Sequence, residues 1–176
     1  MKYTMTVNNG RNELNAFGRT ILVSCKVRNL ENGLRRVDQV VFGLNGDGSQ
    51  GKAVSPQVFP QGIWAVGKPR AVDPAKDVQQ YKQPYFIPTD AYQDLPAWSV
   101  HPDPEDGLHY EEKTAEVFRD WGYGLHFSKS ATTLGCLKVE SRDDLMWLVE
   151  EIKRVQANGD TVRIAVAANI EEEEQT

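Results

Sequence analysis

The chain has 176 residues, of which 40% are hydrophobic and 26% charged. That is long enough to bury a core and too apolar for a disordered chain. The net charge is −5 and no cluster of Lys and Arg stands out, which argues against nucleic acid as a partner, since such binding needs clustered cations to displace counterions.

The N-terminal half reads as strands and turns. Tyr3 to Val7 alternates and ends at Asn8-Asn9-Gly10. Thr20 to Val27 is apolar and β-branched, which predicts a buried strand with Cys25 inside it. Glu31-Asn32-Gly33 is a hairpin turn signal, followed by a strand from Val37 to Leu44. After a Gly/Asn-rich stretch, Pro60-Gln61-Gly62 turns into a short strand, Ile63 to Val66. Lys68 to Asp106 is rich in proline and reads as a long irregular connection with a short strand at Tyr85–Ile87. It suggests either a lid or a surface excursion.

The spacing of Ala115 and Phe118, or of Val117 and Trp121, predicts a short helix over Glu111–Trp121. A second, clearer helix spans Arg142 to about Ala157. Ser141 is its N-cap, Asp143 and Asp144 lie in its first turn, and Leu145, Leu148, Val149 and Ile152 form one apolar face. Asn158-Gly159 stops it, and Thr161 to Ala167 is a last strand. The whole is a mainly β fold with one or two helices, in a single domain over residues 1–170 with an acidic tail at 171–176. Trp64 and Trp121 are expected in the core; Trp98 and Trp147 are open to either core or groove. No apolar run reaches the length of a membrane span, and residues 1–18 lack the apolar centre of a signal peptide.

The chemistry-bearing stretch is Tyr123-Gly-Leu-His-Phe-Ser-Lys-Ser-Ala-Thr-Thr-Leu-Gly-Cys-Leu-Lys-Val-Glu140. His126 and Cys136 would lie on neighbouring strands, Tyr123–Phe127 and Cys136–Val139, in a hairpin-like arrangement. A thiol attacks as the thiolate, and an adjacent imidazole can take its proton. Gly135 removes a side chain beside the sulfur and leaves room for a carbonyl and for backbone N–H donors. The residues alone favour a buried structural thiol, because free Cys is among the most buried residue types. A Cys25–Cys136 bridge also stays open. A metal site of His101, His109, His126 and Cys136 is disfavoured, because no close-spaced ligand pair exists. His101 and His109 are expected in solvent.

The string HFSKSATTLGCLKV resembles the signature of L,D-transpeptidase (YkuD-type) catalytic domains: a His, a variable stretch, then Ser/Thr-x-Gly-Cys and an apolar residue. His126, Thr133, Leu134, Gly135, Cys136, Leu137 and Lys138 carry the match. The helix and strand that follow it, and Pro60-Gln61-Gly62-Ile63-Trp64 upstream of it, stand in the same order as in that family. The segment from Phe42 to Gly67 is similar to the subset that includes secreted L,D-transpeptidase-like antibacterial effectors. The chain departs from the family at Leu134, where many members have His, at Phe127, at Lys138 in place of Arg, and in a shorter His-to-Cys gap.

The resemblance implies an L,D-transpeptidase-like β-sandwich that acts on peptidoglycan stem peptides without a cofactor or metal. Cys136 would be the nucleophile and His126 the base and then the acid. Gly135 and Thr133 would border the oxyanion, and Lys138 and Tyr123 the substrate. Lys138 reads equally well as an exposed strand residue. A wall substrate and the lack of a leader together imply synthesis in a cytoplasm and delivery to the periplasm or wall, with a delivery or immunity partner of unknown kind. The alternatives are a wall-binding or virion domain of the same fold without activity, and an unrelated cysteine hydrolase.

Overall fold

The computed structural model describes residues 2–8, 11–24, 33–39, 43–72, 85–105, 107–127 and 135–167. Cys25, Thr133, Leu134 and the acidic tail lie outside them. The fold is mainly β with one helix. The chain divides into two compact units, one of Met1–Val27, Gln57–Tyr92 and Trp121–Thr176, the other of Arg28–Pro56 and Gln93–Asp120.

The first unit is built on β1 (Lys2–Asn8), β2 (Glu13–Ala16), β3 (Arg19–Ser24), β6 (Gly62–Ala65), β7 (Arg70–Ala71), β8 (Tyr85–Pro88), β11 (Gly124–Phe127), β12 (Leu137–Val139), α1 (Arg142–Ala157) and β13 (Thr161–Ala167). Its nine strands form one sheet in the order β6-β13-β1-β2-β3-β12-β11-β8-β7. The sheet curls: Val66, just after β6, bridges to Thr89, just after β8, and Gly67 N–H donates to the Pro88 carbonyl at 2.9 Å. The helix packs against β13 near one end of this order and against β12, β11 and β8 near the other, so it fills the inside of the curl. Met5, Val7, Leu14, Ile21, Val23, Ile87, Leu125, Leu137, Val139 and Ile164 meet Leu145, Leu148, Val149 and Ile152 of the helix there.

The helix forms where its sequence signals place it. Ser141 is extended, and its hydroxyl accepts from the Asp144 N–H at 3.3 Å, which satisfies one of the orphan donors of the first turn. Gly159 ends it at φ +81°.

The second unit carries the four-stranded sheet β10-β9-β5-β4, made of β4 (Arg35–Gln39), β5 (Gly51–Val54), β9 (Tyr92–Asp103) and β10 (Gly107–Trp121). Two expectations fail here. Among its described residues the segment Lys68–Asp106 is not mainly irregular, for besides β8, the strand expected near Tyr85–Ile87, it holds β7 and the twelve-residue β9. In β9, Leu95, Ala97 and Ser99 are buried and Pro96 is exposed between them. That is an alternating strand with its proline on the exposed face.

The helix expected at Glu111–Trp121 is instead the last part of the fifteen-residue strand β10. Val117 and Trp121 are 63% and 76% exposed, so Trp121 is not a core residue. A spacing of four puts two residues on one face of a strand as well as of a helix, and Tyr110, Thr114, Val117 and Phe118 favour the strand. Asp120, on the other face, is buried and paired with Arg35 at 2.6 Å.

Candidate functional site

The site residues all belong to the first unit. Strands β11 and β12 are parallel, not a hairpin, with Leu125 opposite Leu137, His126 opposite Lys138 and Phe127 opposite Val139. The other neighbour of each strand is antiparallel, β8 for β11 and β3 for β12. Leu125, Leu137 and Val139 point to the helix and the core. Side chains alternate along a strand, so His126 and Lys138 share the opposite face. Cys136 lies two residues before Lys138, with the parity of that face, immediately ahead of β12.

His126 is 9% exposed. Burial is the main reason its pKa lies below the usual 6.5. A hydrogen bond to the Phe127 carbonyl partly opposes this, and the Lys138 charge adds to the lowering. The ring is therefore neutral at pH 7. Its Nδ1 lies 3.4 Å from the Phe127 carbonyl oxygen. A carbonyl oxygen there is met better by an N–H than by a lone pair, which favours the tautomer with its proton on Nδ1.

Cys136 is half-buried and carries a thiol, not a disulfide. Its Sγ lies 3.9 Å from the Gly122 carbonyl oxygen, to which the S–H donates. Gly135 has φ +120°. A Cβ on it would stand 2.5 Å from Tyr123 Cε1 and 2.7 Å from the Gln57 carbonyl oxygen. Both the backbone conformation and the close approach thus require glycine here. Tyr123 is itself buried and meets Phe59 edge-on at 5.7 Å. The segment leading into the Pro60-Gln61-Gly62 turn therefore packs against the turn that carries the thiol. The Trp64 indole N–H donates to the Pro60 carbonyl at 2.9 Å and fixes that upstream turn.

Lys138 is 8% exposed and is not the solvent-facing strand residue that its sequence also allowed. Its ammonium lies 3.4 Å from Glu140. Sequence reading missed two residues of this face, Phe86 and Gly124. Phe86 is opposite His126. A Cβ on Gly124 would run into the Phe86 ring and lie 2.5 Å from the Ile87 carbonyl oxygen. The one available signal was a glycine within a predicted strand, which marks a close approach.

Thr133 lies outside the described residues. His101 and His109 face each other in the second unit at 6.4 Å between ring centres, and His101 pairs with Glu111 at 3.5 Å rather than standing alone in solvent. Among the described residues no group of three or more His, Cys, Asp or Glu is placed to hold a metal ion. No helix among them is long and apolar enough to cross a membrane. No family model matches the chain, and neither a curated protein nor a solved structure is found to match it.

Proposed function

We propose that this chain is a cysteine-dependent acyl-transfer enzyme acting on peptidoglycan stem peptides, an L,D-transpeptidase or L,D-carboxypeptidase. The observation that carries the reading is a neutral imidazole, His126, on the strand beside the one that Cys136 leads into. With its proton on Nδ1, the basic nitrogen Nε2 suits it to take the thiol proton. The sulfur then attacks an amide carbonyl of the stem peptide. The tetrahedral oxyanion is met by backbone N–H groups at Gly135 and Cys136. Its collapse breaks the C–N bond, and His126 returns the proton to the departing amine. The resulting thioester passes its acyl group to a second amine or to water. The choice of stem peptides as substrate comes from the motif at His126 and Gly135-Cys136.

The test is mass spectrometry of muropeptide digests. Tetrapeptide stems should lose their terminal residue or exchange it for another amine. Cys136→Ala should lower that turnover by at least about 10³-fold, while stability stays within about 1 kcal/mol because the side chain is half-buried. A variant that turns over stems as fast as the parent removes the mechanism.

A further inference from the structure

The face of the sheet away from the helix also carries a groove, at the hairpin end of β1, β2 and β3. Thr6, Asn15 and Thr20 stand opposite one another across these strands, and Thr4 lies two residues before Thr6. They alternate with the buried Met5, Leu14 and Ile21, so they look outward. With Tyr3 and Arg19 they border a groove of about 250 Å³. That is below the usual range for drug-sized ligands and suits one unit of a longer molecule.

The hydrogen bonds within the groove occupy its acceptors. Thr20 Oγ1 donates to Asn15 Oδ1 at 2.7 Å, Arg163 Nη2 donates to Thr4 Oγ1 at 3.1 Å, and the Phe17 N–H donates to the Tyr3 hydroxyl. What remains is mainly donors: the Asn15 amide hydrogens and the hydroxyl hydrogens of Tyr3, Thr4 and Thr6. Beside Thr4, the Arg163 Nε–H is buried with no acceptor among the described residues. A surplus of donors calls for a ligand rich in acceptor oxygens.

Charge and strand order narrow its class. Arg19, the cation that borders the groove, is paired with Asp144 at 3.0 Å, and its guanidinium carbon lies 4.3 Å from the Trp147 ring centre. Its charge is thus already balanced, which disfavours a phosphate or carboxylate. Each of β1, β2 and β3 has a strand on both sides, so they present no open backbone edge to which an extended peptide adds. Hydroxyl and amide side chains on an outward face instead match the hydroxyl, ring and acetamido oxygens of a sugar.

We propose that this groove binds a neutral saccharide, whose acceptor oxygens meet the donors of Tyr3, Thr4, Thr6 and Asn15. The proposal does not rest on Cys136 being the nucleophile.

The test is an NMR titration of the full, ¹⁵N-labelled chain with chitotriose, whose acetamido carbonyls are acceptors, and with cellotriose, which lacks them. Chitotriose should give saturable shifts at the Thr4, Thr6, Asn15 and Thr20 amides and at the Asn15 side-chain amide. Its Kd should be on the order of 1 mM, as for a shallow site with a few hydrogen bonds, and tighter than that of cellotriose. Thr6→Val and Asn15→Leu change exposed positions and should each weaken binding about fivefold, as for one lost hydrogen bond, with the rest of the spectrum unchanged. Cys136→Ala should bind as the parent does. The proposal is overturned if neither sugar gives saturable shifts, or if the shifts lie elsewhere. It is equally overturned if both groove variants bind as tightly as the parent, if Cys136→Ala abolishes binding, or if sodium phosphate saturates these amides and the sugars do not.

Discussion

Lys138 stands directly opposite His126 across the parallel β11–β12 pair. Its charge acts in the same direction as burial and favours the neutral imidazole. A buried cation beside the proposed base adds to burial, the larger cause, in favouring its unprotonated form. The first consequence is testable through pH. Lys138→Gln removes a like charge, so the His126 pKa should move up toward 6.5 and the acid limb of Cys136 alkylation should move with it. The shift should be modest, because burial is the larger cause. NMR titration of the His126 ring checks it directly, and an unmoved or lowered midpoint contradicts the assignment.

A second consequence concerns stability. The folded pKa of His126 lies below the unfolded value of 6.5. As pH falls below 6.5, the unfolded chain binds a proton at this residue that the folded chain does not. Stability is therefore lost from about pH 6.5 downward through the folded pKa, and none of this penalty exists above it. In His126→Gln the difference in unfolding free energy between pH 7 and pH 5 should be smaller than in the parent. Urea denaturation of both proteins at the two pH values measures it, and equal differences would refute the linkage.

Gly135 offers a third prediction. Gly135→Ala adds a Cβ at φ +120° that would press on Tyr123 and on the Gln57 carbonyl. Backbone strain and overpacking together should cost roughly 2–4 kcal/mol. Tyr123→Leu in the same chain should recover only part of this, since the positive φ and the Gln57 carbonyl remain. A loss under about 0.5 kcal/mol in denaturant titration would mean that the Cys136 turn does not depend on glycine.

Local patterns were legible where one neighbouring surface sets them. The 142–157 helix shows its cap, its acidic first turn, its apolar face and its glycine stop in sequence, because each is a short-range effect. The strands near 3–7, 20–24, 63–66, 85–87 and 161–167 are legible for the same reason. The strand β10 was not, because Val117 and Trp121 fit a helix or a strand equally. The strand β9 was not, because Pro96 and Pro102 masked its alternation.

Sequence by itself determined which residues are candidates for chemistry: a rare His, a rare Cys and a glycine beside it. It did not determine how they face one another. Strand direction and register come from distant partners, here β3 and β8, and these turn an expected hairpin into a parallel pair. That pairing puts Lys138, rather than Cys136, level with His126. It also brings Arg70 and Phe86, far away in the chain, onto the same face. Only the tertiary structure decides such neighbours, because a sheet's lateral order is set by burial of its core face and not by proximity along the sequence.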